Sequence, residues 1–135
     1  MPPAGFRFHH VAVQTADLPR ARRFYETVLG CVVIKEERTA KGRDIVWLAC
    51  GEGRIELYGG KPDQPLAPRW NTDTLGPLAL GFLVGNLDRE VARLRVLNVP
   101  IAKPPYEPVP GERAAMIEGP DGEEIVLLER PVGPT

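Results

Sequence analysis

Val11-Ala12-Val13-Gln14-Thr15-Ala16-Asp17-Leu18 is echoed by Leu80-Gly81-Phe82-Leu83-Val84-Gly85-Asn86-Leu87, with Leu18 and Leu87 standing 69 residues apart. Arg54-Ile55-Glu56-Leu57-Tyr58 returns as Glu124-Ile125-Val126-Leu127-Leu128 at an offset of 70. Two echoes at nearly one offset describe a duplicated unit of about half the chain. Within it His10 falls opposite Ala79 and Glu56 opposite Val126, so the first copy carries two ligand-type side chains where the second is apolar.

Working outward, Phe6 to Val13 reads as a strand, with Val11 and Val13 on one face and Phe8, His10 and Ala12 on the other. By the same alternation His9 points away from His10. Asp17 stands where a helix N-cap belongs and Pro19 fits the first turn. Leu18, Ala21, Phe24, Tyr25, Val28 and Leu29 form a helical stripe ended by Gly30. Strands are then expected over Cys31 to Arg38, Asp44 to Cys50 and Arg54 to Tyr58, the last two joined by Gly51-Glu52-Gly53. Residues 59–77 are polar, proline-rich and without period, a connection between two units.

The second unit repeats this plan. Leu78 to Val84 is a strand, Asn86 takes the cap position, and Leu87, Val91, Leu94 and Leu97 make the stripe closed near Asn98. Five prolines between Pro100 and Pro110 restrict any strand there to an edge or an interrupted one. Glu112 to Glu118 and Glu123 to Glu129 close the chain around the turn Gly119-Pro120-Asp121-Gly122. The expectation is one α+β domain over 1–135, with modules at about 6–58 and 78–130.

Composition narrows the function. With 135 residues the chain can bury one core unaided. Its 17 basic and 18 acidic residues, net charge −1, offer no footprint for nucleic acid. No apolar run approaches the roughly 18 residues of a membrane span, and the N-terminus lacks a secretory pattern. Cys31 and Cys50 make no disulfide framework and no C-x-x-C pair, so reduced thiols in a cytoplasmic protein are expected.

A first-strand His followed by Val-Ala-Val, then Asp17-Leu18, then Ala21 to Gly30, resembles the opening of the vicinal oxygen chelate superfamily of glyoxalase, bleomycin-resistance and dioxygenase proteins. Ile55-Glu56-Leu57 and Gly119-Pro120-Asp121-Gly122 extend the resemblance over nearly the whole chain. It implies two βαβββ modules whose sheets curl into a cleft, a homodimer, and one divalent metal ion held from four positions. Here those positions are His10, Glu56, Ala79 and Val126. Neither alanine nor valine can ligate, so only His10 and Glu56 remain as metal ligands and any ion would be held at low occupancy.

Several readings of the site stand side by side. One is that incomplete metal site. A second is acid/base chemistry by Glu56 and His10, with Arg54 and Arg113 as the basic groups available to stabilise an enolate. A third is capture of a small organic ligand against an apolar wall of Ala79, Gly81, Leu83, Val126 and Leu128, with Trp47, Tyr58, Trp70 and Tyr106 as aromatic lining. In the last, His10 is an ordinary hydrogen-bonded interior residue and Glu56 a partner for Arg54 or Arg7. If the chain is an enzyme, the resemblance implies lyase or isomerase chemistry on a carbonyl compound, with Glu56 as base and His10 as metal ligand or proton carrier. It argues against a dioxygenase, whose two-His, one-carboxylate iron site the matched positions cannot supply. Glu124 shares the parity of Val126 but lies roughly 6–7 Å along the strand.

Overall fold

The duplication is visible in the architecture of the computed structural model, which describes residues 5–60 and 75–130. The chain divides into two units, Met1–Asp63 and Gln64–Thr135. The first contains β1 (Val11–Gln14), α1 (Leu18–Arg23) followed by a π-helical turn (Phe24–Val28), β2 (Val32–Arg38), β3 (Asp44–Cys50) and β4 (Gly53–Tyr58). The second contains β5 (Leu80–Val84), α2 (Leu87–Val96), β6 (Ile101–Tyr106), β7 (Ala114–Glu118) and β8 (Glu124–Glu129). Each forms a four-stranded sheet of the same plan, β1-β4-β3-β2 and β5-β8-β7-β6. In each the first strand runs parallel to the last, and the other pairs are antiparallel.

Both helices start as their sequences dictate. Asp17 and Asn86 adopt the same extended backbone, φ −141° in each. Their side-chain oxygens accept from Arg20 N at 3.1 Å and Arg89 N at 3.0 Å, satisfying a donor that the first turn leaves open. In the first unit Ala21, Tyr25 and Val28 are buried together with Val46, Leu48, Ile55 and Leu57 of the sheet. In the second, Leu87, Val91 and Leu94 are buried with Ala115, Ile117, Ile125 and Leu127. Alternation along each strand therefore leaves the other row on an open face.

Four expectations require correction. The first strand begins only at Val11, and Phe6 and Phe8 are each 80 % exposed. The single α-helical stripe of the first module changes to a π turn at Phe24, with Cys31 N donating to Tyr25 O at 2.9 Å beyond Gly30 at φ +72°. In the second module Leu97 is exposed and Val99 is buried instead. Asn98 takes a left-handed φ of 60°, Val99 N bonds Leu94 O and Asn98 N bonds Arg95 O, which is a Schellman ending that folds Val99 back towards the buried Leu94. The proline-rich stretch behaves as expected, since β6 is an edge strand paired irregularly with β7 alone.

The fourth correction concerns the cysteines, which are joined as a Cys31–Cys50 disulfide with Cα atoms 4.7 Å apart. A bulge between Val33 and Lys35 shifts the β2–β3 register by one residue. Val32 therefore faces Ala49, and Cys31 comes beside Cys50 one step further along the hairpin. Without that extra residue Cys50 would face Val32.

No helix among the described residues is long and apolar enough to cross a membrane.

Candidate functional site

In the first module the register itself builds a row. Ala12 of β1 pairs with Glu56 of β4, Glu56 with Trp47 of β3, and Trp47 with Lys35 of β2. His10 lies just before β1, and its Nε2 stands 3.2 Å from Glu56 Oε1, which puts its ring on the side of this row. Glu56 is only 7 % exposed although it is ionisable and on the open face. A carboxylate in such a position needs partners, and His10 provides one.

Two more groups complete a chain of contacts. Arg54 Nη1 is 2.8 Å from His9 Nε2, and His9 Nδ1 is 2.8 Å from His10 Nδ1. Arginine can only donate and an ionised carboxylate can only accept, so the chain has one consistent direction. Arg54 donates to His9 Nε2, His9 Nδ1–H donates to His10 Nδ1, and the Nε2–H that His10 then carries stands 3.2 Å from the Glu56 carboxylate. The ends thus fix one tautomer for each ring.

Trp47 packs against both rings at their edges, with centroids 4.7 Å from His10 and 5.7 Å from His9. Its indole Nε1 donates to Glu37 Oε1 at 2.6 Å. That bond, followed by one from Lys35, holds the Glu37 carboxyl below its ordinary value. Glu37 thereby fixes the tryptophan that walls the histidines.

The expected site residues divide into those brought together and those not. His10, Glu56, Trp47 and Arg54 form one cluster, although Arg54 bonds His9 rather than Glu56. His9 also belongs to it, against the expectation from alternation. Strand geometry does not begin until Val11, so period-two alternation does not govern the step from His9 to His10. The adjacent pair His9-His10 was the available signal. Tyr58 lies one row further along, beneath the Arg43 guanidinium at 4.9 Å. Arg43 in turn bonds Gln14 and Gly59 O.

In the second module Gly81, Val126 and Met116 form the corresponding row, and Leu83 and Leu128 the next. Ala79 lies just before β5. Arg113 is not an available cation: it forks onto Asp88 at 2.9 and 3.3 Å and approaches Glu129 at 3.6 Å. It serves the start of α2, where Glu129 also accepts from Leu87 N. Tyr106 is the last residue of β6, with the Lys103 ammonium 4.1 Å from its ring centre. Trp70 lies outside the described residues.

The resemblance implies a divalent ion held from four positions. Of the four matched positions only His10 and Glu56 carry ligating atoms, and these stand 3.2 Å from each other. Among the described residues no three His, Cys, Asp or Glu side chains are grouped to hold a metal ion. Protein sites generally use three or more ligands, so this set does not fit a resident ion.

Comparisons with known proteins agree with the architecture. The family model described as Glyoxalase/Bleomycin resistance protein/Dioxygenase superfamily matches residues 7–127. The chain is 30 % identical over 124 residues to the uncharacterized protein YwkD of Bacillus subtilis (strain 168), covering 90 % of this chain and 95 % of that protein. The crystal structure of SMU.1112c is similar with a TM-score of 0.79 at 26 % identity, covering 92 % and 98 % of the two chains. The trypanothione-dependent glyoxalase I of Leishmania major is similar with a TM-score of 0.73 at 25 % identity, covering 93 % and 87 %.

Proposed function

The chain belongs to the Glyoxalase/Bleomycin resistance protein/Dioxygenase superfamily, and from that premise we propose that it binds a small carbonyl compound on the open face of its first module and moves a proton in it. This is lyase or isomerase chemistry of the glyoxalase kind, carried by Glu56 and His10 without a fully ligated metal. The observation that carries the reading is the 3.2 Å contact between His10 and a Glu56 carboxylate that is 7 % exposed.

A carbon acid next to a carbonyl needs a base and a group that accommodates charge developing on the oxygen. Glu56 is the base: His10 Nε2 lies 3.2 Å from one of its oxygens, and the carboxylate retains lone pairs for the substrate proton. His10 Nε2–H, 3.2 Å from Glu56, turns to the substrate oxygen as Glu56 takes the proton. Arg54 and His9 hold His10 in the tautomer that has this N–H to give. Trp47 walls the histidines on one side and restricts ring rotation.

Hydrogen–deuterium exchange at the carbon beside the carbonyl tests this reading. NMR in D2O over a panel of small aldehydes, ketones and oxo acids should reveal at least one compound whose exchange the protein accelerates. Glu56→Gln should lower that rate by about 100-fold or more, within the range of general acid–base effects. Unchanged exchange in the variant would remove Glu56 from the chemistry.

A second reading is favoured by the apolar row Gly81, Val126 and Met116. Such surfaces suit capture of an organic molecule without conversion. Saturable binding with no product by mass spectrometry is its signature. A homodimer is the assembly proposed for either reading, to be checked by sedimentation.

A further inference from the structure

Beside the histidines, the first module has a recess of about 410 Å³ lined by Gly5, Arg7, Phe8, His9, Glu52 and Arg54. It lies between the segment that leads into β1 and the turn that joins β3 to β4. Its polar lining is predominantly basic. Two guanidinium groups and one carboxylate leave an excess of one positive charge, since His9 accepts from Arg54 and carries a single N–H. Arg7 makes no ion pair with any described residue. Of the five N–H donors of Arg54, one is directed at His9 Nε2. Phe8, 80 % exposed, adds an aromatic surface.

We propose that this recess binds the carboxylate of a small oxo acid, with Arg7 and Arg54 holding the anion and Phe8 covering its carbon chain. The inference rests on the proposed proton transfer at Glu56 and names the substrate class for it. Guanidinium forks match a carboxylate in shape as well as charge. A net excess of one charge suits a monoanion and not a phosphate dianion, because Glu52 would repel the second charge. Position agrees with the chemistry. Arg54 and Glu56 are two residues apart on β4, so their side chains leave the same face roughly 6–7 Å from one another. A short molecule anchored by its carboxylate at Arg54 presents its carbonyl towards His10 and Glu56. His9 touches both Arg54 and His10, so the anion site and the base share a wall.

The test is an amide NMR titration of the full chain with pyruvate, its uncharged methyl ester and inorganic phosphate. Pyruvate should shift the Arg7 to His9 and Glu52 to Arg54 resonances saturably, and methyl pyruvate should bind about tenfold more weakly or worse, as expected for loss of a charged hydrogen-bonding group. Arg7→Gln should weaken pyruvate about tenfold and methyl pyruvate by less. Equal affinity for acid and ester, an Arg7→Gln variant that binds pyruvate normally, shifts confined to other regions, or phosphate binding as tightly as pyruvate would each overturn the proposal. The two readings fail separately. Pyruvate binding retained in Glu56→Gln, with no isotope exchange in the unaltered protein, counts against proton transfer alone. Accelerated exchange without carboxylate preference counts against the recess alone.

Discussion

The two modules carry the same grid and fill one side of it differently. Ala12, Glu56, Trp47 and Lys35 lie across the first sheet, and Gly81, Val126, Met116 and Lys103 lie across the second in the matching register. On the helix side, Val46 with Leu57 and Leu48 with Ile55 correspond to Ala115 with Leu127 and Ile117 with Ile125. Those are apolar and buried in both copies. The packing rows keep their kind, whereas the open rows differ at the positions able to do chemistry. A shared backbone therefore says nothing about whether a module is reactive; the residue on the open row does.

The sharpest way to break this comparison is to make the first module like the second. Glu56→Val should reduce carbon-acid exchange by about 100-fold or more, while urea unfolding changes little, because a buried carboxylate replaced by an apolar group of smaller size loses an expensive desolvation. A large fall in stability would show that Glu56 is chiefly a structural ion-pair partner. Next in size are the helix-side rows. Leu57→Ala and Leu127→Ala, both at fully or nearly fully buried positions, should each cost about 2–5 kcal/mol in chemical denaturation. A strongly unequal pair would show that one core supports the other.

Smaller effects come from the caps. Asp17→Ala and Asn86→Ala should each cost about 1 kcal/mol, because each removes a side-chain acceptor from the first turn of its helix. Smallest is the response of two exposed carboxyls to pH. Trp47 holds Glu37, and Arg113 holds Asp88, below their ordinary values. Each folded value lies under the unfolded one, so the contribution is full above the ordinary carboxylate range and disappears as pH falls through the lowered value. Carboxyl-carbon NMR titration should show depressed midpoints for both, and Trp47→Phe should raise only that of Glu37.

Much of this was legible in the residues. The echoes around Val11 and Leu80 carried the two-module plan, Asp17 and Asn86 marked the helix starts, and Pro104 and Pro105 placed β6 at an edge. His10 and Glu56 were identified from a resemblance, and parity put them on one face. What escaped was set by irregular backbone. Period-two alternation misplaced His9 because the strand begins after it. The partnership of Cys31 and Cys50 depends on a bulge of one residue, invisible to spacing alone. Leu97 fits the helical period, but the left-handed Asn98 ends that period and buries Val99 instead. Arg113 looked available because Asp88, 25 residues earlier, becomes its neighbour only after folding.

The bonds from Arg54 through His9 and His10 to Glu56 have a further consequence when viewed as a conductor. A proton relay must be refilled from behind after it discharges, and its last member here is a guanidinium, which does not surrender a proton in proteins. The series can hold its orientation but cannot carry current. Under the proposed proton transfer, a proton taken up by Glu56 is therefore not passed on through Arg54; it leaves to the bound molecule or to water at the solvent-accessible histidines. Return to the bound molecule at another of its atoms is the outcome that the proposed isomerase chemistry requires, with no net gain or loss of protons per turnover.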